Sequence, residues 1–185
     1  MRLFLALIPS PSFRETIGAW QEGFRREAPG CRPVPPERLH MTLLFEGQAG
    51  LKERTWIEGE GDRFFRKMDQ QEVSLPSSRI FFDSRTLPGL GILSFGTDPP
   101  DRPPWREIAE LMEEDGKGRR FWPHMTLFRR FYPVRKEIRP LPEAPDARFS
   151  DLVLFESVTN AGGPVYRPLR RWSPGLEGPV SNSHT

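Results

Sequence analysis

The sequence predicts an α+β fold, and three observations carry that reading. Short segments in which apolar and polar residues alternate recur along the chain, as half-buried strands do, and segments with apolar residues at helical spacing lie between them. The tetrapeptide His-Met-Thr-Leu occurs at His40 to Leu43 and again at His124 to Leu127, 84 residues apart, each copy following strand and helix patterns. Such an order, met once in each half, suits two similar lobes facing one another across a cleft better than it suits local repetition. A chain of 185 residues is long enough for one substantial core, so residues 1–172 read as a single two-lobed domain. Ser173 to Thr185 read as a flexible tail.

The elements follow in order. Arg2 to Ile8, apolar from Leu3 onward, reads as a buried first strand. Ser12-Phe13-Arg14-Glu15 then has the pattern of a capping box, opening a helix whose Phe13, Ile17, Trp20 and Phe24 share a face. Pro29 to Pro36 is a loop, because proline restricts both itself and the residue before it. Leu39, Met41 and Leu43 alternate with His40 and Thr42 to give the first motif strand. Leu51 to Met68 has a helical pattern despite Gly59 and Gly61. Glu72 to Leu75, Arg79 to Asp83 and Gly89 to Gly96 read as short strands. Pro103 or Pro104 can open a helix carrying Ile108, Leu111 and Met112, closed near Gly116. Gly116 to Arg120 is then a basic turn before the second motif strand, in which Met125 and Leu127 alternate with His124 and Thr126. Asp151 to Val158 and Val165 to Trp172 read as closing strands.

The motifs account for two of only three histidines; the third, His184, lies in the tail with no threonine two residues on. Imidazole is the side chain that gives and takes protons near neutral pH, so a matched pair is the minimum equipment for general acid and general base catalysis. On a strand, residues i and i+2 share a face, so each His-x-Thr sets an imidazole beside a hydroxyl.

Composition excludes other chemistries. Cys31 is the single cysteine, so no intramolecular disulfide forms, and no Cys/His cluster has zinc spacing. Two histidines with threonines make a poor metal site, since threonine is a weak completing ligand. No glycine-rich phosphate loop is present, and no cofactor is expected. The Leu3 to Ile8 run is short for a signal segment and nothing later spans a bilayer, which reads as a cytoplasmic protein. The net charge is +2, with 23 Arg against 4 Lys; arginine suits phosphate, but a GC-rich genome explains it better, and the composition carries little functional weight.

With its paired His-x-Thr motifs the chain resembles the two-histidine phosphoesterases, and specifically the RNA 2′,3′-cyclic phosphodiesterase (2′-5′ RNA ligase-like) branch. Four stretches are similar to that branch in the same order: Arg2 to Ile8, His40 to Phe45, Pro123 to Arg129 and Leu154 to Ser157. Glu46, where the branch usually has leucine, and Phe128, in place of a small residue, depart from it. The resemblance implies two pseudo-twofold-related lobes, each an antiparallel sheet backed by helices, forming a V-shaped central cleft with one motif from each side.

Opening a 2′,3′-cyclic phosphate needs a water deprotonated as it attacks phosphorus and a ribose oxygen protonated as it leaves. Two imidazoles flanking one phosphate supply both, and no metal is required. Identical motifs do not tell acid from base. The resemblance implies that His40 protonates the leaving 3′-oxygen and His124 activates water, leaving a 2′-phosphate. Thr42, Thr126 and Arg129 would grip the phosphate oxygens. Strict alternation sets Arg130, rather than Arg129, on the histidine face, so the Arg129 assignment requires the strand to end or bulge there. Phe45 holds the place equivalent to Arg129 after the first motif and could stack on a base or pack in the core. Trp122 shares a face with His124 by alternation and, after Arg119 and Arg120, could form an RNA-facing rim, although a solvated basic turn describes the segment better. Tyr166, Ser157 and Trp172 are explained by packing as well as by binding. The expected partner is RNA or an oligonucleotide with a 2′,3′-cyclic phosphate end, bound by a monomer. The alternatives are another cyclic phosphodiester, reversible joining of 2′-5′ RNA ends, or a binding module without turnover.

Overall fold

The computed structural model describes residues 1–25, 30–68, 73–75, 79–87, 90–96, 105–106, 110, 123–131, 147–160 and 163–174; for 73–75, 79–87, 90–96 and 130–131 the description is of the backbone. In chain order the elements are β1 (Leu3–Pro9), α1 (Pro11–Arg25), β2 (Arg32–Pro33), a 3-10 turn (Pro36–Arg38), β3 (Met41–Glu46), α2 (Leu51–Lys67), β4 (Val73–Leu75), β5 (Arg79–Leu87), β6 (Leu90–Gly96), β7 (His124–Phe131), β8 (Ala147–Asn160) and β9 (Gly163–Trp172).

The strands run β4-β8-β1-β3-β7-β6-β5, with β9 joined to β8 and β2 to β7, and every pairing is antiparallel. This is the expected α+β class. Where two sheets were expected, the described strands join into one, and β3 meets β7 at a single residue pair, Met41 with Met125.

Local chemistry explains the element ends. The first helix begins one residue before the expected capping box. Pro11 occupies its first position, where a missing N–H costs nothing, and the buried Ser10 Oγ accepts from the Phe13 N–H at 3.4 Å. Ser10, not Ser12, is therefore the cap. Strand β8 runs well past the expected Asp151 to Val158, because its start pairs with β4 and its end with β9. Gly61 does not interrupt α2; it lets the Trp172 ring lie against the helix, where an added Cβ would meet ring atoms at 2.6 Å. Asp62 beside it accepts from Trp172 Nε1 at 2.8 Å and from Arg170 at 2.6 Å. Trp172 is thereby assigned to packing.

One face of the sheet and the helices enclose the core, in which Leu3, Leu5, Leu7, Met41, Met125, Leu127, Phe128, Phe149 and Leu154 are buried against Ile17 of α1 and Ile57 of α2. Trp105, also buried, and Arg106 are helical. The rest of the helix expected from Pro103 or Pro104, the Gly116 to Arg120 turn, Trp122 and residues 175–185 lie outside the described residues.

Candidate active site

The site is built on the sheet face opposite the core. Met41 and Met125, the central residues of the two His-Met-Thr units, pair with each other and are both fully buried. Their neighbours therefore turn to the other face, which gathers His40, Thr42, His124 and Thr126 into a quartet about one ladder pair. In that antiparallel register each histidine lies toward the other unit's threonine, and the two histidines are diagonal neighbours, about 7 to 8 Å apart in a regular ladder.

Both strands then break parity at the same point. Along β1 and β3, Leu5 opposes Leu44 while Ala6 opposes Thr42, so Leu43 is an extra residue. Along β6 and β7, Ser94 opposes Thr126 while Leu93 opposes Phe128, so Leu127 is an extra residue. These are β-bulges. Leu43 with Leu44, and Leu127 with Phe128, are buried as consecutive pairs. The following residue of each strand, Phe45 and Arg129, consequently faces the same side as the motif residues. The Arg129 position required such a bulge, and the bulge is present.

A cavity of about 310 Å³ opens on this face, lined by His40, Thr42, Phe45, Arg129, Phe4 and Tyr166, with Arg2 and Ser157 at its side. Phe45 is thus a cavity residue, and the Arg2 guanidinium lies over its ring at 5.5 Å. His124 and Arg129 are exposed, while His40, Thr42 and Thr126 are half-buried. The Arg130 side chain and Trp122 lie outside what the structure describes.

His40 has the more elaborate surroundings. Its ring is packed against Phe4 at 5.2 Å and Tyr166 at 5.3 Å, and these two rings meet at 4.9 Å. Its Nδ1 lies 2.8 Å from the Arg38 carbonyl, which can only accept, so Nδ1 carries the hydrogen and Nε2 is left for the cavity. Burial pushes the His40 pKa below its ordinary 6.5; the Arg38 carbonyl opposes this, and the charges of Arg129 and His124 add to it.

Sequence reasoning did not separate Tyr166 and Ser157 from packing residues and passed over Phe4 and Arg2. The signal was available in β1, where Phe4 alternates with the core residues Leu3 and Leu5 and so faces the cleft. Tyr166 could not be found that way, since its place depends on pairing with Ser157 across β8 and β9.

The model of the LigT-like phosphoesterase family matches residues 8–79, a span that contains the first motif. Two curated relatives run through both motifs. An RNA 2′,3′-cyclic phosphodiesterase of Methanocaldococcus jannaschii is 25% identical, over 93% of this chain and 100% of that protein. An RNA 2′,3′-cyclic phosphodiesterase of Thermus thermophilus is 28% identical, over 94% of this chain and 90% of that protein. These matches make the chain similar to the LigT-like phosphoesterases. Its fold agrees with solved LigT-type structures. The crystal structure of E. coli LigT complexed with 3′-AMP superposes with a TM-score of 0.71 at 25% identity, covering 93% of this chain and 96% of that one. TT0787 of Thermus thermophilus gives 0.64 at 25% identity, over 96% and 100%. No helix among the described residues is long and apolar enough to cross a membrane.

Proposed function

We propose that this phosphoesterase hydrolyses the 2′,3′-cyclic phosphate end of RNA to a 2′-phosphate, by paired histidines and without a metal. It would act as a cytoplasmic monomer, with residues 1–172 as its catalytic domain. The observation that carries the reading is the quartet of two imidazoles and two hydroxyls about Met41 and Met125, with Arg129 turned toward it by the β7 bulge. The names of the curated relatives support the substrate.

In this mechanism His124 takes a proton from water as it attacks phosphorus, and His40 gives one to the departing 3′-oxygen. Charge on the pentacoordinate phosphorus is met by Arg129 and by the hydroxyls of Thr42 and Thr126. Phe45 and Tyr166 offer flat apolar walls for the nucleoside. His40 rests neutral near pH 7 because burial lowers its proton affinity, so the acid role requires the bound phosphate anion to restore it. That same resting state favours a second reading, in which His40 is the base and His124 the acid. Oligonucleotides ending in 2′,3′-cyclic phosphate, incubated with the protein in chelator, test the activity: turnover is expected, and dependence on an added divalent ion would overturn the metal-free mechanism.

A further inference from the structure

The β7 bulge that turns Arg129 has a support that lies outside the cavity. Gln21 sits on the apolar stripe of α1, 4% exposed, between Ile17 and Phe24. Its Nε2 donates to the Leu127 carbonyl at 2.8 Å and to the Val34 carbonyl at 3.0 Å. Both partners are acceptors, which fixes the amide with its nitrogen toward them. Leu127 is the extra residue of the bulge, and its carbonyl also accepts from the Val34 N–H at 2.8 Å. The next residue, Phe128, is packed by the same helix, against Phe24 at 5.4 Å and Trp20 at 6.0 Å.

A buried amide is costly unless its hydrogen bonds are made, and an apolar side chain would serve the core better at this place. What Gln21 adds is specific to the bulge. A bulged strand leaves its extra residue out of the regular ladder, and here the Gln21 amide gives that residue's carbonyl a second donor beside the Val34 N–H. Restoring regular pairing would shift parity by one residue and turn Phe128 and Arg130 toward the histidines in place of Arg129.

We infer that Gln21 is a positioning residue, whose amide holds the Leu127 bulge and thereby points Arg129 into the site. The inference rests on the cyclic phosphodiesterase reading for its kinetic consequence only. The test is a double-mutant comparison of Gln21→Met and Gln21→Asn, each alone and with Arg129→Ala, joined to a crystal structure of each soluble variant. Asn keeps the amide but falls one methylene short of Leu127. With Arg129 present, each is expected to lose turnover on the order of 10- to 100-fold, as small misplacements of a positioned group do. With Arg129→Ala already made, the further loss should be less than about twofold, as for residues acting as one unit. A purely structural role would cost the same in both backgrounds, and that result overturns the inference. So would a variant structure with Leu127 bulged and Arg129 in place. If the wild-type protein does not turn over cyclic phosphate ends, the functional reading fails by itself, and the variant structures still decide whether Gln21 sets the bulge.

Discussion

The two motif strands place the same residues on the same face in different surroundings. His40 follows a 3-10 turn, is half-buried against Phe4 and Tyr166, and is held through Nδ1 by the Arg38 carbonyl. His124 opens β7 and is exposed. After the bulge, β3 presents an aromatic ring and β7 a guanidinium. A repeated tetrapeptide therefore fixes position without fixing surroundings, and the strands around it make the pair unlike.

The largest effect should come from removing either member of the pair. His40→Ala and His124→Ala are each expected to lower kcat on cyclic-phosphate ends by about 10²- to 10⁴-fold with the fold intact. The double variant should be little worse than either single one. A near-wild-type rate in either single variant would break the equivalence of the two strands.

Next comes the contrast after the bulges. Arg129→Ala should cost about 2 to 4 kcal/mol in kcat/KM, acting on both binding and chemistry, as positioned electrostatic donors do. Phe45→Ala, at the matching place on β3, should cost about 1 kcal/mol and mainly in KM, as lost stacking does. Arg130→Ala should fall below both. A larger defect at Arg130 would mean that strand alternation outweighs the bulge.

These contrasts show what the sequence could and could not reveal. The alternation at His40 to Leu43 and His124 to Leu127 made the quartet legible, because period-2 patterning specifies a face. The helix over Leu51 to Lys67 was equally legible, and Gly61 became intelligible only with Trp172 lying on it. The bulges were legible only as a requirement at Arg129. Leu43-Leu44 and Leu127-Phe128 are apolar pairs that fit a core as well as a break in parity, and the partner strands that reveal the break are distant in sequence. Gln21 was hidden for the same reason, since its partner Leu127 is 106 residues away.

The smallest effect is in pH dependence. As the acid, His40 must hold a proton, so kcat/KM should fall as pH rises through its lowered pKa, below 6.5. The fall in kcat should come at higher pH, because a bound phosphate anion opposes loss of that proton. Coincident profiles would argue against His40 facing the phosphate. Stability has the opposite sign: between the lowered pKa and 6.5 the unfolded chain binds more protons, so the contribution present above 6.5 is lost as pH falls. His40→Asn should flatten that slope in thermal melts.

Phosphorus NMR of an oligonucleotide ending in 2′,3′-cyclic phosphate, followed with the purified protein in chelator, tests the central claim most directly. The account predicts that the cyclic resonance gives way to a single 2′-phosphomonoester resonance. A cyclic resonance that persists would contradict paired-histidine hydrolysis, and a 3′-phosphomonoester would contradict the 3′-oxygen as the leaving group.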